Sequence, residues 1–202
     1  MTSPTLLLLC LFATVLELDT TYAFQLTFSR GIIAGPLLSL LTGDLIAGLQ
    51  VGIFTELLFS DINPLGGVLP PSAVGCCAVT LALNFLGTPL PVAFFLGVLA
   101  AFAFAYAERS VRKIRCRWIG NWEKKIMEQP RLINRTVFLS LLTSFASTFL
   151  LFSLFIIAGT ALCKWLLPHL PEQSFLAFKL AFMAVPWIGI TTLLYSFRLK
   201  TK

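Results

Sequence analysis

Apolar residues run through this chain in long blocks, and the length of each block is the first guide to what it forms. About 20 apolar residues at about 1.5 Å each cross a hydrocarbon core of roughly 30 Å. Ile62 to Ala107 is 46 residues without a charged side chain, more than twice what one crossing needs. The block should fold back on itself at Gly87-Thr88-Pro89-Leu90-Pro91, giving two spans. Thr136 to Cys163 supplies 28 more uncharged residues, and Leu180 to Phe197, extended back towards Phe175, supplies a fourth span with Lys179 near one end. At the N-terminus, Leu6 to Val15 has the length of a signal-peptide core, with Tyr22-Ala23 as the candidate cleavage point. No Lys or Arg precedes it, so it reads as a retained first membrane helix.

Arg30 to Asp61 is membrane-like but interrupted. Gly31 to Gly43 is 13 uncharged residues and Leu45 to Thr55 is 11, with Asp44 between them and Glu56 closing the second. Neither half crosses a bilayer alone. Runs of this length predict a broken or re-entrant helical hairpin, which membrane depth tolerates only where it is buried in protein or lines a cavity. Transporters build substrate sites this way, because broken helices leave dipole ends and free backbone groups facing a midplane cavity.

Asp44, Gly48, Gly52 and Glu56 recur every fourth residue, so on a helix they form one ridge, with two bare positions between two carboxylates. Another element can pack closely there, and Gly31-Ile32-Ile33-Ala34-Gly35 is a second small-residue patch of the same kind. Helix packing accounts for Gly31, Gly35, Gly48 and Gly52. A carboxylate inside a membrane segment costs about 2.5 to 3.5 kcal/mol on insertion scales and is usually retained for function. Glu56 is therefore read as functional, whereas Asp44 fits either a functional role or a plain helix boundary. Beyond Glu56 the chain reaches Gly66-Gly67 and Pro70-Pro71, which no regular helix accommodates. The result is a non-helical loop with Ser, Asp and Asn side chains, suited to hydrogen-bonding a polar ligand such as a sugar; an ordinary solvent-side turn fits its composition equally.

Composition sharpens the class. Of 202 residues, 57% are hydrophobic and 12% charged, with a mean hydropathy of +0.89, so water cannot be the only solvent. The fold class is all-α, a polytopic integral membrane protein with about six membrane-inserted segments. A net charge of +6 could point to nucleic acid, but nine of the 15 basic residues lie between Arg109 and Arg135, and Arg198, Lys200 and Lys202 end the chain. Both clusters abut apolar spans, the positive-inside pattern, which places the 108–135 loop and the C-terminus in the cytoplasm and leaves nucleic acid out. Docking of a cytoplasmic partner or anionic membrane lipid is a further role open to this loop. The organisation expected is one membrane domain over 1–202: membrane segments to 107, the basic loop over 108–135, and membrane segments over 136–202. Cys10, Cys76, Cys77, Cys116 and Cys163 show no C-x-x-C pair, and His169 is the only histidine. No metal site or cofactor is expected.

The stretch Phe24-Gln25 … Arg30-Gly31-Ile32-Ile33-Ala34-Gly35 … Gly43-Asp44 … Gly48 … Gly52 … Glu56 … Gly66 … Pro71 resembles the IIC membrane subunit of the mannose/fructose/sorbose family of sugar phosphotransferase systems. The resemblance is specific over about residues 24 to 80 and looser onward to Phe197. It implies a permease subunit of the bacterial inner membrane that pairs with a IID membrane subunit to translocate a hexose or related sugar. Cytoplasmic IIA and IIB proteins then carry the phosphoryl group, so this chain has no phosphorylation site and no catalytic residue of its own. Gln25, Asp44 and Glu56 match polar positions of the family pattern and are candidates for the sugar pathway, since each buried hydroxyl must exchange water for a donor or acceptor. Asn63 lies one position from a family Asn, and Ser72 stands where the family usually has Asp. The chain also stops near Lys202 where family members continue, which implies one or two fewer terminal spans.

Two rivals come from other classes. In the first, Asp44 and Glu56 are the acid-base pair of an intramembrane enzyme, although twelve residues of continuous helix separate them by about 18 Å. A non-transporting assembly subunit within a hetero-oligomer fits the short chain and Ser72.

Overall fold

The computed structural model describes residues 3–21, 25–62, 69–128 and 132–200. The described residues form helices joined by short connections, with no strand: α1 (Ser3–Thr21), α2 (Gly31–Thr42), α3 (Leu45–Phe59), α4 (Ala73–Phe85), α5 (Leu90–Glu128), α6 (Leu132–Leu166) and α7 (Glu172–Lys200), with a 3-10 turn at Leu167–His169. In lipid, a helix is the one open-ended element that satisfies its own backbone groups, so an apolar chain of this kind is an all-α membrane protein.

The broken hairpin is present as α2 and α3. Gly43 ends α2 in the left-handed conformation at φ 80°, its N–H bonding Ser39 O at 2.8 Å, and Asp44 at once caps α3 by accepting from the Ala47 N–H at 3.0 Å. The two glycine patches lie against each other. A Cβ on Gly31 would stand 2.9 Å from Gly52 O, one on Gly52 would stand 2.5 Å from Gly31 O, and one on Gly35 would collide with the backbone of Gly48 and Gly52. Only hydrogen at these positions lets the two helix backbones touch.

The centre of the fold is α4, where Val74 through Leu83 are all buried, with α1, α2, α3, α5 and α6 packed around it. A helix apolar on every side belongs in the interior. Phe54 of α3, Phe94 of α5 and Phe182 of α7 add a second layer, with ring centroids 4.7 to 6.3 Å apart, in the range where tilted and edge-on aromatic pairs attract. Gly189 lets α7 press onto the backbone of Leu57.

Two expectations are corrected. The charge-free block from Ile62 yields one long helix and one short one, because Pro70-Pro71 delay helix formation until Ser72 caps α4 by accepting from the Gly75 N–H at 2.8 Å. That leaves α4 only 13 residues, about 20 Å, too short to cross alone. The turn after it falls where expected, between Phe85 and Leu90. The basic stretch expected as a loop is helical: α5 continues through it to Glu128 and α6 starts at Leu132. Arg, Lys and Glu are good helix formers, and charge alone breaks no helix; α5 absorbs one glycine, Gly120, and the next proline in the sequence is Pro130. Among the described residues three helices are long and apolar enough to cross a membrane, within Leu90–Arg117, Ile133–His169 and Glu172–Tyr195. Leu99, Leu150, Ile157, Leu180 and Trp187 are exposed on their outer faces, the surface a bilayer or a second membrane subunit covers. The candidate cleavage point at Tyr22-Ala23 lies outside the described residues.

Gly35→Ala should therefore lower the stability of detergent-purified protein by about 1–3 kcal/mol or more. Gly159→Ala, whose new methyl meets only movable Leu83 side-chain atoms at 3.3 Å, should cost much less. Thermal unfolding of the two variants side by side checks the difference.

Candidate functional site

At one end of the fold the C-terminal end of α1, residues 25–30 before α2, the C-terminal end of α3, residues 69–72 before α4, and the start of the basic half of α5 converge on a cavity of about 1010 Å³. Four carboxylates reach its lining, Glu17, Asp19, Glu56 and Glu108, together with Arg30 and a basic row on α5 at Arg109, Arg112, Lys113 and Arg117. Phe59 and Phe104 supply apolar wall. The row on α5 follows from helical spacing, since residues three and four apart share a face.

Each carboxylate is held by a specific partner. Glu56 Oε2 accepts the Gly31 N–H at 2.9 Å and Oε1 accepts from Arg30 Nη1 at 3.0 Å. Arg30 makes no side-chain cap for α2, so Glu56 supplies the anion at that N-terminus from across the hairpin. Arg30 is 64% exposed, so its ion pair contributes less than the bond to the backbone. Asp19, buried at 5% exposure, accepts the N–H groups of Leu26 at 2.7 Å and Ser29 at 3.3 Å. It thereby holds a segment in which Gln25 (φ 52°) and Thr27 (φ 68°) adopt left-handed backbone, a conformation costing roughly 1–3 kcal/mol per residue and concentrated at ligand clamps. Ser72 Oγ donates to Glu17 Oε2 at 2.6 Å while accepting from its own helix at Gly75. Glu108, also buried, accepts from Arg112 Nε at 3.2 Å and Arg115 Nη2 at 2.9 Å, and Arg115 reaches Ser144 of α6.

The structure thus brings Gln25, Glu56 and Ser72 to one cavity. Asp44 is elsewhere: it is exposed at the opposite end of the hairpin and serves as the α3 cap. Because α3 is unbroken from Leu45 to Phe59, nothing brings Asp44 to Glu56, which removes the basis of the acid-base pair. Asn63 lies outside the described residues. Gly31, Gly35, Gly48 and Gly52 form the crossing that carries Glu56 to the start of α2.

Sequence reasoning missed Glu17, Asp19 and Glu108 as site residues. A signal for the first two existed: they are two carboxylates near the C-terminal end of a helix with no basic residue in its last turn, where the helix dipole opposes them. Such placement needs donors from elsewhere in the fold.

With this geometry in view, the comparison with protein families is decisive. A family model described as the PTS system sorbose-specific IIC component matches residues 4–201. The chain belongs to this family. No curated protein matches it. This IIC component is accordingly a multi-pass membrane subunit of a sugar-specific phosphotransferase transporter, a system in which it works with other components.

The placement of Asp44 gives a test. Asp44→Ala in the IIC chain should cost about 0.5–2 kcal/mol, the usual effect of losing a helix cap. Sugar uptake per folded molecule should stay unchanged, because the side chain is remote from the cavity. Unfolding of the purified variant and uptake normalised to membrane content read the two effects separately.

Proposed function

We propose that this IIC chain is the sugar-binding permease component of a mannose-type phosphoenolpyruvate-dependent phosphotransferase system, translocating a hexose or related sugar together with a IID subunit. The observation that carries this reading is the cavity where Gln25, Glu56 and Ser72 meet beside Phe59 and Phe104. A sugar has a hydroxyl-bearing edge and apolar ring faces, and this lining offers acceptors and donors for the first and rings for the second. At about 1010 Å³ the cavity is at the upper end of ligand pockets and roomier than a hexose requires, which supports a further wall supplied by IID.

Orientation follows from charge. The basic half of α5 edges the cavity, and the positive-inside pattern assigns that half and the C-terminus to the cytoplasm of a bacterial cell. On that assignment the cavity opens inward, towards the IIA and IIB carriers, and IIB phosphorylates the sugar as it emerges. The chain itself acts as a transport subunit without chemistry of its own. His169, its one histidine, sits on the 3-10 turn with Nδ1 2.7 Å from Trp165 O and away from the cavity lining.

A second reading, a subunit that assembles without transporting, draws support from the commitment of Glu56 to Arg30 and Gly31. Expression with IID, IIB and IIA in cells lacking their own mannose-type permease separates the two. Transport predicts accumulated sugar phosphate, and Glu56→Gln should lower its rate about tenfold or more while the variant still reaches the membrane, as expected for loss of a charge-assisted contact. A stable complex with IID and no sugar phosphate supports the assembly role.

A further inference from the structure

Two arginines in the basic half of α5 are engaged within the fold. Arg112 and Arg115 both donate to Glu108 Oε1, and Arg115 also donates to Ser144 of α6. Arg109, Lys113 and Arg117 are placed differently. They recur every fourth residue, so they share one stripe of the helix about 12 Å long, and all three are exposed and line the cavity. Among the described residues no carboxylate pairs with any of the three. We infer that this stripe is a phosphoryl-binding site, which takes the phosphate ester of the transported sugar once phosphoryl transfer has occurred. The inference rests on the reading of the cavity as the sugar site.

Membrane topology alone does not account for where these cations sit. The positive-inside pattern needs basic residues at the cytoplasmic boundary, and cations turned towards lipid headgroups satisfy it just as well. These three line the cavity instead. A neutral sugar gains little from a row of cations. A phosphate ester carries a charge of about −1.5 to −2 near pH 7 and three strong acceptor oxygens. The arginine fork matches two such oxygens at once and lysine adds a point charge, and neighbours four apart on a helix stand about 5–6 Å apart at Cβ, so Arg109 and Lys113 can share one phosphoryl group. Carboxylates elsewhere in the lining repel that same group. Asp19 is the plainest case, because backbone N–H groups of Leu26 and Ser29 hold it rather than a cation. Phosphoryl transfer therefore shifts the favoured position of the ligand from the acidic part of the lining to the basic stripe, on the side assigned to the cytoplasm.

The test is equilibrium binding to the full IIC chain purified with IID in neutral detergent, without IIA or IIB. The probes are the sugar that the uptake assay identifies, its phosphate ester and inorganic phosphate. Arg109→Gln and Lys113→Gln should each lower the preference for the ester over the free sugar about tenfold, the size of one charge-assisted bond, and Lys113→Arg should retain it. Inorganic phosphate should compete with the ester but bind more weakly, because it lacks the sugar contacts. Equal affinity for inorganic phosphate and the ester marks a general anion site and overturns the inference. An unchanged preference in both glutamine variants overturns it as well, while leaving the cavity as the sugar site. Slower transfer from phosphorylated IIB, or weaker association with anionic vesicles, in those variants would then identify the partner of the stripe as the carrier or the lipid. A wild-type system with no uptake overturns the underlying reading and the inference with it.

Discussion

The contact of α2 with α3 through Gly31, Gly35, Gly48 and Gly52 is the constraint on which the site depends. It brings two helix backbones together in a hairpin whose arms are 12 and 15 residues long, each too short to cross a bilayer. Close approach fixes the register of the arms, and register sets Glu56 against the first N–H of α2. Side chains any larger would separate the arms and leave that N-terminus without its anion.

Around this hairpin the chain uses carboxylates as fasteners. Glu56 holds the start of α2, Asp19 holds the segment before it, and Glu17 reaches Ser72 at the start of α4. In a chain with few charged residues these are costly choices, offset by donors placed where helix ends and a strained loop need acceptors. The same arrangement lines a cavity with groups that sugar hydroxyls can engage. Fastening and binding therefore draw on one set of atoms, and a ligand must share those acceptors or displace their present donors.

Much of this was legible in the sequence because it is local. Gly43-Asp44 marked the hairpin turn, the four-residue spacing marked the glycine ridge, and Gly87 to Pro91 marked the turn before α5. The length of α4 was misjudged because hydropathy counts Pro70-Pro71 as neutral filler, whereas a proline pair at a helix start dictates where hydrogen bonding begins. The basic run was misjudged for the opposite reason: it contains charge and a single glycine, Gly120, that the helix tolerates, but no proline until Pro130, and straight-chain basic residues extend a helix readily. The position of Glu17 at a helix C-terminus signals a need for donors from elsewhere, but the donor itself, Ser72, is 55 residues away and no periodicity records which helix end meets which. On the ridge Asp44 fits a functional role or a helix boundary alike; the fold decides between them, with Asp44 an exposed cap and Glu56 on the cavity.

The central claim is that this cavity holds the sugar, and the cysteines provide a direct probe. Cys116 is exposed and lines the cavity, whereas Cys10, Cys76, Cys77 and Cys163 are buried. The measurement is the rate at which a polar maleimide modifies Cys116 in the assembled transporter, with and without saturating transported sugar. Occupancy of the cavity predicts slower modification in the presence of that sugar and no change with a sugar that is not transported. An equal rate with the transported sugar, under conditions where uptake proceeds, contradicts the account.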